Sequence, residues 1–574
     1  MKQLISISAY VFYTLLAALI VSCNSRSSSP SGQLIQQLNL KKGDIVLCGP
    51  PDAQFGQVKF DITCSEKTKK DFNLAMELLH SFEYDEAEKI FAKVIDAAPD
   101  CAMAYWGIAM CNFHPLWNPP AKAELEKGNK AVDIAKSITK KSSRETAYIN
   151  AIGLFYQDWN TTDHHTRCLK FEKAMGELYT LYPDDKEAGI FYALALDAAA
   201  EPTDKTYAKQ KQAAAILEAL YKEAPNHPGV IHYIIHTYDY PELAGLALSA
   251  AKRYAGVAPS SAHAQHMPSH IFTRLGLWDE CIRSNQKSIE AAKCYAESAN
   301  ISGHWDEEFH GIDYLVYAYL QKGENALAEK QVAYLSTITE VYPVNFKVAY
   351  AFAAIPSRYV LENRKWKEAA ALERKLPGSS WSSFPWQEAI IHFTRLLGAV
   401  HTGNVNAAKL ELAKLYFLRD TLQKQKDNYK SGEVAIQIKA GEAWIQFVSG
   451  NKSGAVDLMK QAADMEDSTG KHPVTPGEVL PARELLGDMF MLMGQHKHAL
   501  QTYEAVLTKC PNRFNSLYGA GRAAEKSGNE QKAIYYYTRL SAITDATNSD
   551  RKELIELRKF LNLHKQPEPR KSKA

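Results

Sequence analysis

Residues 482–512 read ARELLGDMFMLMGQHKHALQTYEAVLTKCPN, and their pattern decides the fold. Apolar residues recur with the period of an amphipathic helix on both sides of a central turn. The small residues Gly487 and Ala499 stand where two helices would approach closely. The aromatic ring of Tyr503 suits the gap beside them, and Pro511 ends the second helix. The stretch therefore predicts two antiparallel helices in close contact.

The same spacing recurs directly downstream in residues 521–537 and near the start in residues 82–100. It resembles the tetratricopeptide repeat (TPR), a helix pair of about 34 residues. One such pair cannot bury its own apolar face, so consecutive pairs stack into a superhelix with a concave groove. We therefore expect an all-α, TPR-like solenoid of antiparallel helix pairs, preceded by a short irregular N-terminal segment.

The charge balance of the chain limits the classes of function that it can have. The chain has 574 residues, and its 67 Lys and Arg nearly balance its 65 Asp and Glu, so no nucleic-acid partner is predicted. The predicted units are a signal peptide (1–22), a polar tether with a small hairpin-like segment (23–67), an N-terminal solenoid with a histidine-rich groove (68–345), C-terminal TPR repeats (346–565) and a basic tail expected to be disordered (566–574).

The first residues, MKQLISISAYVFYTLLAALIVSC, indicate an export signal. The segment 20–23 resembles the lipobox of bacterial lipoproteins, which implies cleavage before Cys23 and its lipidation. The alternative is an uncleaved transmembrane anchor, because the apolar run is long enough to span a bilayer. Under the lipobox interpretation the protein meets the membrane only through lipid on Cys23. No aspartate follows that cysteine, which by resemblance to sorting rules implies the outer membrane, facing the periplasm.

Eight cysteines remain, and an exported protein can form disulfides. Cys48 and Cys64 flank a Gly- and Pro-containing stretch that looks like a hairpin, so they are the candidate pair. The other six lie in apolar helical patterns, where a buried thiol is expected. No C-x-x-C occurs, which argues against cysteine-bound zinc.

Histidines gather in three consecutive repeat units, in HYIIHTYD (232–239), HAQHMPSHIF (263–272) and HGIDYLVY (310–317). At about 100° per residue, His232, His236 and Asp239 fall within an arc of roughly 60° on one helix face. An insertion before the third unit carries His304, Glu307 and Glu308, which we expect to fold over the groove. The residues predicted to line the groove are His232, His236, Asp239, His263, His266, His270, His304, His310, Asp313 and Tyr317.

Two histidines at i, i+4 can bind one ion, and imidazole suits zinc or copper. The candidate metal ligands are His232, His236, His266, His270 and His310. No H-E-x-x-H occurs, so a metal-dependent hydrolase would need Glu307, Glu308 or Asp313 as general base. The alternative is a hydrogen-bonded polar seam that holds the superhelix in register without any ion.

Several long phrases, AMAYWGIAM (102–110), HMPSHIF (266–272), HPVTPGEVLPARELLGD (472–488) and LYGAGRAAE (517–525), look like those of a set of exported bacterial TPR proteins. That resemblance implies the α-solenoid and no particular activity. Two hypotheses follow. The first is a membrane-anchored scaffold that binds a protein, peptide or small ligand in its groove. The second is a metal-binding protein or metal-dependent enzyme that uses the histidines.

Overall fold

The computed structural model describes residues 29–564 except 47, 50–53, 118, 202, 545–548 and 550. The predicted signal peptide, the lipid attachment at Cys23 and the basic tail 566–574 lie outside the described residues. Within the described part of the chain, no helix combines the length and the apolar character needed to cross a membrane.

The described residues are almost entirely helical. The α-helices, in chain order, are α1 Gly32–Gln36, α2 Glu66–His80, α3 Tyr84–Ala97, α4 Ala102–Cys111, α5 Lys122–Ser137, α6 Ser143–Tyr156, α7 His164–Leu181, α8 Lys186–Ala198, α9 Ala208–Glu223, α10 Pro228–Thr237, α11 Leu248–Val257, α12 Ala262–His266, α13 Pro268–Leu275, α14 Trp278–Ser298, α15 Asp306–Lys322, α16 Asn325–Thr337, α17 Phe346–Glu362, α18 Trp366–Ala370, α19 Pro385–His401, α20 Val405–Lys424, α21 Asn428–Val448, α22 Lys452–Ser468, α23 Ala482–Leu492, α24 His496–Lys509, α25 Phe514–Lys526, α26 Glu530–Thr544 and α27 Lys552–Leu563. Short 3₁₀ turns lie at Ala244–Ala247 and Trp381–Ser383, and the strands β1 His304–Trp305 and β2 Val341–Tyr342 pair in parallel.

Close contacts between glycines and aromatic rings hold the helix pairs together. A Cβ at Gly487 of α23 would lie 2.7 Å from the ring of Tyr503 on α24. A Cβ at Gly521 of α25 would lie 2.5 Å from Tyr537 on α26. Residues at these positions can be no larger than glycine without displacing the ring. The packing expected from residues 482–512 and the all-α, TPR-like fold class are confirmed.

The superhelix turns back on itself, so that its C-terminal repeats contact its middle. The indole nitrogen of Trp278 on α14 donates to the carbonyl oxygen of Asn512 at 3.0 Å, and the Asn512 side chain donates to the carbonyl of Gly276 at 3.1 Å. Buried Arg513 donates to Glu362 at 2.6 Å and to Glu484 at 2.8 Å. These contacts, far apart in sequence, enclose the concave side next to the histidine-bearing helices.

The predicted Cys48–Cys64 disulfide is wrong. Cys48 is bonded to Cys294 on α14, and Cys64 to Cys101 just before α4. Residues 54–64 form no strand; they run extended across the helices, and their backbone amides bond the outer ends of several repeats. Each cysteine is therefore bonded to a distant part of the chain instead of to the other cysteine. The expectation of buried free thiols fails for Cys101 and Cys294 as well. It is confirmed for Cys111, Cys168 and Cys281, whereas Cys510 is only partly buried.

Candidate metal centre

Four helices bring six histidines together on the concave side. Helix α10 carries His232 and His236 one turn apart, and α12 carries His263 and His266. Pro268 cannot donate a backbone hydrogen bond, so the helix is interrupted there. Helix α13 begins at Pro268 and carries His270. The sixth, on α15, is His310. Five of the six rings are buried and His236 is partly buried.

The first triad consists of His232, His236 and His263. Nε2 of His232 lies 3.0 Å from Nε2 of His236 and 3.2 Å from Nε2 of His263. A tetrahedral ion bound at about 2.0–2.1 Å by three imidazole nitrogens holds those nitrogens about 3.3 Å apart. The two spacings to His232 are close to that value.

The tautomer of His232 is set by its other ring nitrogen. Nδ1 of His232 lies 2.6 Å from the carbonyl oxygen of His80, which can only accept a hydrogen bond, so Nδ1 carries the proton. Nε2 of His232 therefore presents a single lone pair to two neighbouring rings. At most one of those two rings can donate a hydrogen bond to this lone pair. A network of hydrogen bonds alone therefore leaves the other ring of the triad without a hydrogen bond to His232.

The second triad consists of His266, His270 and His310. Nε2 of His266 lies 3.1 Å from Nε2 of His270, and the ring centre of His310 lies 4.1 Å from that of His266. The ligand atoms of each triad lie within 4.8 Å of one another. The sequence prediction that these imidazoles share one space agrees with this geometry.

In the second triad two lone pairs face each other. Nδ1 of His266 lies 2.7 Å from Oδ1 of Asn285, whose amide nitrogen donates to the carbonyl of Cys281, so Oδ1 is the acceptor and the His266 proton is on Nδ1. Nδ1 of His270 lies 3.0 Å from the carboxylate of Asp239, closer than the 3.4 Å to the hydroxyl of Tyr314. Both Nε2 atoms are then unprotonated at 3.1 Å, an arrangement that repels unless a cation lies between them.

Burial keeps these rings neutral. Desolvation lowers the pKa of His232 to about 3, and it lowers the pKa of His236, His263, His266 and His310 well below the ordinary 6.5. Neutral imidazole is the form that binds a metal ion.

A third cluster shows the contrast. His80, His227 and Glu187 also lie together, but there each ring nitrogen has its own hydrogen-bond partner. Nε2 of His80 and Nε2 of His227 lie 2.9 and 2.8 Å from separate oxygens of Glu187, and the amide of Val230 donates to Nδ1 of His227. Nδ1 of His80 completes its set with the hydroxyl of Tyr233. This cluster is a hydrogen-bonded polar network of the kind that the alternative hypothesis proposed for the groove histidines, and the backbone carbonyl of His80 connects it to the first triad.

Asp239 links the second triad to two buried cations. Its carboxylate accepts from Nε of Arg274 at 2.9 Å and from Nζ of Lys471 at 3.2 Å, besides His270. Lys471 belongs to the segment 469–481, which connects α22 to α23. Backbone oxygens of that segment accept from Arg358 at 2.8 and 2.9 Å. The segment therefore lines the groove beside the histidines.

Aromatic rings cover the first triad. The ring centre of Phe82 lies 4.4 Å from that of His232, 5.7 Å from that of His236 and 5.8 Å from that of His263. Trp117, in the proline-rich loop after α4, lies 5.3 Å from His236. Phe82 has a φ of 57°, a backbone conformation that disfavours large side chains, so the contact is maintained at the cost of local strain.

The remaining predicted residues of the acidic and insertion set form ion pairs with other side chains. Asp313 pairs with Arg358, and burial raises the pKa of this carboxyl. Glu307 pairs with Lys347, and Glu308 bonds His304 at 2.8 Å. Within the described residues these side chains make no hydrogen bond to a ring of either triad, so the assignment of a general base stays a prediction.

Tyr317 lies in the next layer of the core. Its hydroxyl accepts from Arg513 at 3.4 Å, and its ring lies under the guanidinium of Arg358. Asn285, Phe82 and the His80 carbonyl are not among the residues predicted from the sequence. Their roles depend on contacts 19 to 152 residues away, for which no local pattern is a signal.

No protein-family model and no curated protein sequence matches the chain. Solved structures with some similarity include Naa15/Naa10 bound to HypK-THB, at 10% identity and TM-score 0.25 over 88% of this chain and 93% of that one. A tetratricopeptide repeat protein from Parabacteroides merdae matches at 10% identity and TM-score 0.22 over 72% and 98%. The human IFIT1 dimer with PPP-AAAA matches at 12% identity and TM-score 0.34 over 82% and 90%. Such low values carry no argument about ligands or partners of this chain.

Proposed function

We propose that the protein is a metalloprotein whose TPR-like solenoid encloses two adjacent three-histidine metal sites. The observation that carries the proposal is the pair of unprotonated Nε2 atoms of His266 and His270, 3.1 Å apart. Their other nitrogens are committed to Asn285 and Asp239. A neutral hydrogen-bond network cannot satisfy that arrangement, whereas one cation does.

The chemistry of the ligands narrows the choice of metal ion. All six proposed ligands are imidazoles, which suit zinc and copper and are poor ligands for magnesium or calcium. The Asp239–His270 pair has the carboxylate–histidine form that orients metal ligands. Zinc and copper are therefore the candidate ions.

The test is elemental analysis of protein expressed without a histidine tag. We expect two ions per chain in the unmodified protein, and one in each of the variants His236→Gln and His310→Gln. The matched control is His227→Gln, a buried histidine of the fully hydrogen-bonded third cluster, which keeps two ions. Folded protein, by circular dichroism, that contains and takes up neither zinc nor copper would contradict the proposal.

The cell-envelope location belongs to the same proposal. Two disulfides support an oxidising compartment, consistent with a lipid anchor on Cys23 facing the periplasm. Metabolic labelling with palmitate tests the anchor. We expect label on the intact chain and none on Cys23→Ser, and equal labelling of both would refute the anchor.

Binding of a protein or peptide, the first hypothesis from the sequence, stays a prediction. The groove beside the histidines is filled by the segment 469–481 and by aromatic rings, which favours a small ligand at that place. A peptide partner would therefore bind elsewhere on the solenoid.

A further inference from the structure

The two triads adjoin closely enough to act together. The ring centres of His236, from the first triad, and His270, from the second, are 6.2 Å apart. That distance is no longer than the 6.4 Å between His236 and His263 or the 6.3 Å between His270 and His310, which lie within single triads. Two ions in these triads would therefore face each other with no protein layer between them.

Charge favours two monovalent ions over two divalent ions in this site. The six imidazoles are neutral, and the carboxylate that bonds a ligand ring, Asp239, already faces Arg274 and Lys471. Two divalent ions would place four uncompensated positive charges in a buried site, and burying unpaired charge is costly. Two Cu(I) ions would halve that charge, and Cu(I) accepts three imidazole ligands.

The surroundings favour a small apolar reactant. Phe82 and Trp117 cover the first triad, and the ring of Tyr254 stacks on that of His232 with centres 5.2 Å apart. A charged substrate would lose its hydration against these rings, whereas dioxygen has little hydration to lose.

We propose that the two triads hold one binuclear copper centre that binds dioxygen between its two ions, an inference that rests on the proposed function. In this step each Cu(I) gives up one electron and becomes Cu(II), and dioxygen accepts both electrons and becomes a bridging peroxide. Copper–oxygen bonds form, the O–O double bond becomes a single bond, and no proton moves. The charge of the centre is two before and after the step, so the buried site pays no additional desolvation cost.

The experiment uses the full-length protein, stripped with a chelator and loaded without air with Cu(I) or, in parallel, with Zn(II). Bound metal is counted first, and uptake of dioxygen is then followed with an oxygen electrode. We expect two ions of either metal per chain, and one dioxygen taken up per two coppers. The zinc form takes up none.

Single-triad variants separate a joint centre from two independent sites. His236→Gln and His310→Gln should each keep one copper and lose dioxygen uptake, whereas His227→Gln should keep both. Failure to bind either metal would refute the proposed function itself. Two bound coppers without uptake, or half the uptake in each single-triad variant, would overturn the binuclear centre and leave the metal sites standing. The stoichiometry of the unmodified protein decides the question even where a variant fails to fold.

Discussion

Replacing Asp239 by asparagine should weaken metal binding at the second triad and leave the first triad intact. The carboxylate of Asp239 holds the Nδ1 proton of His270, which points the Nε2 lone pair of that ring at the site. Loss of such an orienting partner typically reduces metal affinity by about 10- to 100-fold, or about 1.4–2.7 kcal/mol. The substitution also leaves Arg274 and Lys471 without their shared countercharge, so the metal-free variant should be less stable by about 3 kcal/mol.

The matched control is Asp197→Asn. Asp197 is a buried carboxyl that accepts from Thr237 at 2.6 Å and contacts neither triad, and burial raises its pKa to about 8. It is therefore protonated at neutral pH, and asparagine removes no charge there. Competition titrations with a zinc chelator, fitted to two sites, measure both affinities. Equal weakening of both sites by Asp239→Asn, or equal weakening by the two substitutions, would refute the role given to Asp239.

Three further predictions concern stability. Gly487→Ala should destabilise the folded protein by about 1–3 kcal/mol because the new Cβ meets the Tyr503 ring. Gly432→Ala, in open space on α21, should stabilise it by about 0.5–1 kcal/mol. Equal shifts in melting temperature for the two variants would contradict the packing. Arg513→Ala leaves two buried carboxylates unpaired and should cost about 3–5 kcal/mol in urea unfolding; a loss under 1 kcal/mol would count against this. Burial lowers the pKa of His401 to about 4, so the unfolded chain binds a proton that the folded chain does not as the pH falls from 6.5 to 4. The free energy of unfolding should fall by about 2 kcal/mol between pH 6.5 and pH 4 in the unmodified protein, and by less in His401→Gln. The same pH dependence in both proteins would contradict the role given to His401.

Local patterns sufficed for the repeat because its determinants lie within one helix pair. Gly487 and Tyr503 belong to neighbouring helices, and their spacing alone predicts the contact that the structure contains. The same phase predicted which faces of α10, α12, α13 and α15 carry the inward-pointing histidines. It did not predict the disulfides, since the partner of Cys48 lies 246 residues away and depends on the path of an extended segment.

The sequence by itself therefore determined a solenoid of helix pairs and the side of that solenoid on which imidazoles gather, since helix geometry ties residue spacing to direction. Only the tertiary structure decided that those imidazoles divide into two triads and that a third cluster is an ordinary hydrogen-bond network. The physical reason is that a histidine's role follows from the partner of its second nitrogen. Those partners, the His80 carbonyl, Asn285 and Asp239, come from other helices that folding alone brings into contact.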